Sequence, residues 1–118
     1  MTFVRVASLA DLWDGDMMPC EAQGQRILLV RLAGTVRAYE DRCAHLAVRL
    51  SEGTLDGHVL TCSAHHYQYD ARTGQGINPR SICLTTFPVR IEGDEILVDS
   101  SRPEQLRSPG RRDLEDQS

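Results

Sequence analysis

Two short runs of this 118-residue chain each bring a thiol and an imidazole together: Cys43-Ala44-His45 and, after sixteen intervening residues, Cys62-Ser63-Ala64-His65. Each run supplies one sulfur and one nitrogen donor from a stretch that reads as a loop, so the pair makes a Cys₂His₂ set. The bland reading is that Cys43 and Cys62 are core cysteines and the histidines surface residues. Two such pairs in so short a chain argue against it. A structural zinc site also accepts Cys₂His₂, but zinc sites usually pair Cys-x₂₋₄-Cys with His-x₃₋₅-His, whereas here each loop mixes the two ligand types.

Mixing is what an asymmetric two-iron, two-sulfide cluster requires, with two histidines replacing two cysteines on one iron. On this reading Cys43, His45, Cys62 and His65 are the metal ligands, one Cys and one His from each loop. Two ferric ions, two sulfides and two thiolates sum to zero charge, and one electron leaves a single negative charge. An all-thiolate cluster starts more negative, so reducing it costs more. Potentials of mixed-ligand clusters accordingly run from about −150 to +300 mV. His66 follows His65 directly, but the spacing from Cys62 favours His65. A zinc-stabilised binding module remains the alternative from a different class, and colour separates the two.

Composition agrees with a small metal or redox protein. The chain has room for one domain, with 41% hydrophobic and 25% charged residues. Its net charge of −4 argues against a nucleic-acid partner. Every basic residue is Arg, which removes lysine Schiff-base and P-loop chemistry. Arg5, Asp11, Asp14 and Asp16 interrupt any N-terminal export signal, and the apolar run Ile27-Leu28-Leu29-Val30 is too short to span a bilayer. No membrane association and a cytoplasmic location are the expectation, and in that compartment four cysteines point to metal or redox chemistry before disulfides. Cys20 and Cys83 lack ligand spacing and read as half-buried free thiols.

The elements that must position the donors read as short strands between turn signals, an all-β pattern. Phe3–Val6 is a first strand. Ser8–Trp13 is a single helical turn, with Ser8 as N-cap and Asp11 three residues later. Arg26–Leu32 and Thr35–Tyr39 form a hairpin about Ala33-Gly34, and Pro88–Glu92 and Glu95–Val98 another about Gly93-Asp94. Residues 41–80 are expected to be loop-rich, crossed by the one short strand His58–Thr61, and loops this long are usually functional. The domain is expected to end near residue 100, with 101–118, rich in Arg, Asp and Glu, a loosely held tail.

The ligand runs, together with Leu50-Ser51-Glu52-Gly53 and Gly74-Gln75-Gly76-Ile77-Asn78-Pro79, resemble those of Rieske ferredoxins. Leu12-Trp13, Ala38-Tyr39 and Phe87-Pro88-Val89 extend the likeness over roughly residues 1–99, towards the ferredoxins of toluene-4-monooxygenase-like diiron monooxygenases. The resemblance implies the Rieske fold, stacked antiparallel sheets with an inserted cluster-binding subdomain, and one [2Fe–2S] cluster. It also implies a role as an electron carrier and not an enzyme: an NADH-dependent flavin reductase donates electrons, and the ferredoxin passes them singly to a diiron hydroxylase. A ferredoxin of a ring-hydroxylating dioxygenase is the alternative. Such a carrier is expected to be a monomer that docks transiently through Ala47, Val48, His66 and Tyr67 around the ligands.

The chain departs from family patterns in places. Ala44 stands where many Rieske proteins have Pro, and Val48 and Ala64 stand where respiratory members have a bracing disulfide. Tyr69 stands where respiratory members have a Tyr that donates to a cluster thiolate, while monooxygenase ferredoxins carry a ring without the hydroxyl. Donation to sulfur and simple packing with the hydroxyl in water are equally open for Tyr69.

Overall fold

The computed structural model describes residues 2–43, 48–63, 66–78 and 80–105. Among these residues are twelve strands: β1 (Val4–Ser8), β2 (Asp16–Ala22), β3 (Gln25–Leu32), β4 (Thr35–Glu40), β5 (Thr54–Asp56), β6 (Val59–Thr61), β7 (Gln68–Asp70), β8 (Gly76–Asn78), β9 (Thr85–Phe87), β10 (Val89–Glu92), β11 (Glu95–Val98) and β12 (Glu104–Gln105). They form three antiparallel sheets, in the orders β1-β11-β10, β12-β9-β4-β3-β2 and β5-β6-β7-β8. The all-β expectation holds.

The turns follow their residues. Ser8 caps a 3-10 turn at Leu9–Asp11, its side chain accepting from Ala10 N–H while Asp11 reaches back to the Ser8 N–H, as the sequence suggested. Ala33 and Gly34 both hold positive φ (52° and 79°), which a two-residue turn between right-twisting strands demands. The sequence reading missed β2 and its Gln23-Gly24 turn, which uses the same backbone (φ 55° and 81°). Pro19 disguises that strand. Because β2 is the edge of its sheet, a residue without an N–H is tolerated there.

Three other expectations need correction. Residues 41–80 carry four short strands, β5 to β8, that form a complete sheet, not one strand among loops. Three-residue strands are too short to show alternation in sequence. Second, the strand expected over Pro88–Glu92 begins after Pro88. This residue separates β9, in the five-stranded sheet, from β10, in the three-stranded one, and lacks the N–H to continue a ladder. Third, pairing reaches into the segment expected to be a tail: Glu104 lies opposite Thr86, and Thr86 Oγ1 donates to the Glu104 carbonyl at 3.0 Å.

The five-stranded sheet is the middle layer. Along β3, Ile27 and Leu29 face a core built with Ala7, Leu12 and Phe87 and with Ile96 and Val98 of the three-stranded sheet. Leu28 and Val30 face the opposite core, with Leu50, Leu60, Tyr69 and Leu84. Burial on both faces explains why this strand reads as an unbroken apolar run. Tyr39 of β4 joins the second core, and its neighbour Ala38 the first.

Candidate metal centre

Both candidate thiols lie in that second core. Cys43 follows β4 and Cys62 follows β6, each essentially without solvent exposure, and both pack in one cluster with Tyr39, Leu60 and Tyr69. Their loops are closed alike. The Cys43 N–H donates to the Val48 carbonyl at 2.8 Å, and the Cys62 N–H donates to the Tyr67 carbonyl at 2.8 Å. The two loops therefore span the same number of residues, each opening on a buried Cys. His45 and His65, the expected nitrogen ligands, lie outside the described residues, as do Ala44, Ala47 and Ala64. Val48 and Tyr67 occupy equivalent closing positions and are half-buried against the same core.

The loops are held from behind. Asp41, buried just ahead of Cys43, accepts the Ser51 N–H at 2.8 Å on one oxygen and the Ser51 hydroxyl at 2.7 Å on the other. This fixes the 3-10 turn Leu50–Glu52 that follows the first loop. Gly53 ends that turn and lies against the end of β6: a Cβ there would collide with the Thr61 carbonyl oxygen, adjacent to Cys62. Only Gly lets the chain after the first loop come this close to the strand that leads into the second. From the middle sheet, the buried Tyr39 hydroxyl donates to the Ala71 carbonyl at 2.8 Å, and burial pushes the Tyr39 phenol above its ordinary pKa.

Tyr69, fully buried on β7, brings its hydroxyl 3.2 Å from the Cys43 sulfur. Of the two placements open to it from sequence, the one facing sulfur is realised. The remaining singled-out residues stand apart. His66 is exposed, holds φ at 58° and donates its N–H to the Cys62 carbonyl at 3.1 Å. His58 is exposed just before β6. Cys83 is buried, and its backbone forms a bridge with Gln75. Cys20 lies half-buried on β2, where burial and then the charge of Asp41 push its thiol up to about 11, so it is a poor thiolate donor. All four cysteines are free of disulfides.

This arrangement suits a metal group held in part by thiolates. Two buried sulfurs on matched loops, one facing a hydroxyl that can donate, are donors of the kind soft metal ligation uses. The Asp41–Ser51 pair and the close approach at Gly53 were not legible in the sequence, although Ser51 and Gly53 stood in the Leu50-Ser51-Glu52-Gly53 motif.

Comparison with known proteins points the same way. The profile of the Rieske [2Fe–2S] domain matches residues 2–88. The ferredoxin component of the alkene monooxygenase system of Xanthobacter autotrophicus is 43% identical over 98 residues, covering 81% of this chain and 80% of that protein. The ferredoxin component of biphenyl 2,3-dioxygenase of Rhodococcus jostii is 36% identical over 100 residues, covering 84% and 94%. The solved ferredoxin of carbazole 1,9a-dioxygenase from Nocardioides aromaticivorans superposes with a TM-score of 0.75 at 30% identity, covering 83% of this chain and 97% of that one. A ferredoxin bound to the oxygenase of a carbazole 1,9a-dioxygenase matches with a TM-score of 0.73 at 30% identity, covering 81% and 91%.

Proposed function

The chain belongs to the Rieske [2Fe–2S] family, and from that premise we propose that it carries single electrons from an NADH-dependent flavin reductase to the diiron hydroxylase of a hydrocarbon monooxygenase. That it is an electron-transfer component with one Rieske-type cluster, and not itself a catalyst, follows from its family and its ferredoxin relatives. An oxygenase as the acceptor follows from the same relatives. The monooxygenase assignment is supported by the alkene monooxygenase ferredoxin being more similar in sequence than the dioxygenase ferredoxins compared. The dioxygenase ferredoxins keep a ring-hydroxylating dioxygenase as the second reading.

In this reading Cys43 and His45 from one loop, and Cys62 and His65 from the other, hold the cluster. The single observation that carries it is the matched pair of loops, each opening on a buried Cys and closed by an equivalent hydrogen bond. When bound, the cluster supplies one-electron chemistry in the potential range of about −150 to +300 mV. The protein's part is to hold its two sulfurs in a water-free core and aim the Tyr69 hydroxyl at one of them. Asp41, Ser51 and Tyr39 stiffen the frame. Docking through Val48, His66 and Tyr67, by a monomer in short-lived complexes, fits a carrier that must release each partner. Among the described residues no helix is long and apolar enough to cross a membrane. A cytoplasmic site of action agrees with an NADH-dependent donor.

Iron and acid-labile sulfide analysis, with the EPR spectrum of the reduced protein, tests this reading. The expected result is a red-brown protein with two iron and two sulfide per chain and a Rieske-type signal. Colourless protein containing zinc would overturn it. Reduction kinetics with purified diiron hydroxylase and with Rieske dioxygenase then separate the two oxygenase readings.

A further inference from the structure

Among the described residues two carboxylates are buried, Asp41 and Asp99. Asp99 fastens the two ends of the fold, accepting the N–H groups of Thr2 and Ser101. Asp41 lies two residues ahead of Cys43, at the foot of the first loop. The Arg42 N–H donates to the Glu40 carbonyl at 2.7 Å, and this bend turns Arg42 out to solvent while Asp41 and Cys43 on either side stay inside. The Asp41 N–H donates to the Arg26 carbonyl at 3.2 Å, which pins the residue against β3. Two residues of chain span at most about 7 Å, so the carboxylate belongs to the immediate surroundings of the Cys43 thiol.

No cation cancels this charge at contact distance. Both partners of the carboxylate, the Ser51 N–H and the Ser51 hydroxyl, are neutral donors. They offset the cost of burying it but leave its net charge in place. Among the described residues the ion pairs are Arg5–Glu95, Arg72–Asp70 and Arg90–Glu92, and Asp41 joins none of them. Arg26, Arg49 and Glu21 line one cleft with it. All three are exposed, as is Arg42, so solvent and salt screen them. The Asp41 field is felt nearby: after burial, its charge is what pushes the Cys20 thiol up to about 11.

We propose that Asp41 is a potential-setting residue: its buried carboxylate disfavours the reduced state of the centre and offsets the Tyr69 hydroxyl, which favours it. The inference rests on the electron-carrier reading with Cys43 as a ligand, and adds a second determinant of the potential to it. Each electron accepted makes the centre more negative, and a fixed negative charge beside it opposes that step. Two unit charges about 10 Å apart, at an effective dielectric of about 20, change a one-electron equilibrium by about tenfold. The direction serves a carrier, because a lower potential makes the reduced protein a better donor to its acceptor.

Spectroelectrochemistry of the iron-loaded protein at neutral pH tests this, with the applied potential held at the wild-type midpoint. Asp41→Asn removes the charge, keeps an acceptor for the Ser51 N–H and sets an amide opposite the Ser51 hydroxyl, which can accept from it. The ratio of reduced to oxidised protein should rise about tenfold, or about 59 mV for one electron. Because the group is buried, the rise should persist at 1 M salt, where the Debye length is about 3 Å. Ser51→Ala removes a hydrogen bond but keeps the charge, so there the ratio should not rise. Asp41→Ser takes the place of Asp41→Asn if the latter loses its visible spectrum. The pair Asp41→Asn with Ser51→Asp returns a carboxylate to the same contact and should bring the ratio back towards the wild type. A neutral variant with an unchanged or lower ratio, a rise that disappears in salt, or an equal rise in Ser51→Ala would overturn the role of Asp41. Loss of the cluster from both neutral variants would overturn it too, by making the residue structural. A wild type with iron and sulfide bound but no reversible one-electron step would overturn the carrier reading instead.

Discussion

The Tyr69 hydroxyl stands 3.2 Å from the Cys43 sulfur, with both side chains shut off from solvent. With Cys43 as the proposed ligand, its thiolate would have no proton to give, so Tyr69 would be the donor in the loaded protein. A donor to sulfur stabilises the more negative, reduced form and raises the potential. Taking about 0.5–1.5 kcal/mol as the differential worth of the bond, Tyr69→Phe should lower the potential by roughly 20–65 mV. Voltammetry checks this; a potential unchanged within about 10 mV, well below the bond's expected effect, would leave Tyr69 as packing alone.

On the proposed ligand set, replacing His45 or His65 by Ala should abolish the Rieske spectrum, because each change would leave one iron short of a nitrogen donor. His66→Ala should keep it, since His66 is exposed and its backbone N–H, which the substitution retains, makes the contact to the Cys62 carbonyl. Visible absorption and EPR of the three variants decide the ligand set. Loss of the signal in the His66 variant would transfer the role from His65 to its neighbour.

Gly53→Ala places a methyl group into the Thr61 carbonyl oxygen. Backbone on both sides leaves no flexible side chain to yield, so the two segments must separate. Overpacking of this kind costs about 1–3 kcal/mol. The urea midpoint should fall and iron occupancy should drop with it; a variant as stable and as fully loaded as the wild type would show that the approach is not required.

The Arg72 guanidinium, chiefly through its hydrogen bonds to Asp70, holds that carboxyl below the ordinary carboxylate range. A lowered folded pKa means the contribution is complete above the unfolded value of about 3.9 and is lost as pH falls through the folded value. The pair is partly exposed, with Arg72 largely in solvent, so Arg72→Ala should destabilise only slightly at neutral pH. Urea melts at neutral pH and near pH 3 should show the gap to the wild type closing in acid. A gap independent of pH would place the effect in packing of the arginine stem.

Much of this protein is readable where one local signal decides the structure. The Ser8–Asp11 capping pair and the turns at Ala33-Gly34 and Gly93-Asp94 are examples, because the residues that fix each conformation are adjacent. The thiol–imidazole runs are readable for the same reason. What stays hidden depends on partners distant in sequence. Nothing near Asp41 announces that its carboxylate will fasten Ser51, and nothing near Gly53 reveals the Thr61 carbonyl. Tyr69 could face water or sulfur until β7 was placed beside β6. Pro19 concealed β2 because its tolerance depends on the strand lying at an edge, which is a property of the sheet and not of the strand.

The alternation along β3 has a consequence for how the molecule comes apart. Ile27 and Leu29 belong to one core and Leu28 and Val30 to the other, so a single stretch of backbone is a wall of both compartments. Neither half can melt while leaving that wall intact for its neighbour, and local opening at the thiol end is felt at the capped base. The natural unit of hydrogen exchange is therefore the whole sandwich, with the amides of β3 exchanging last.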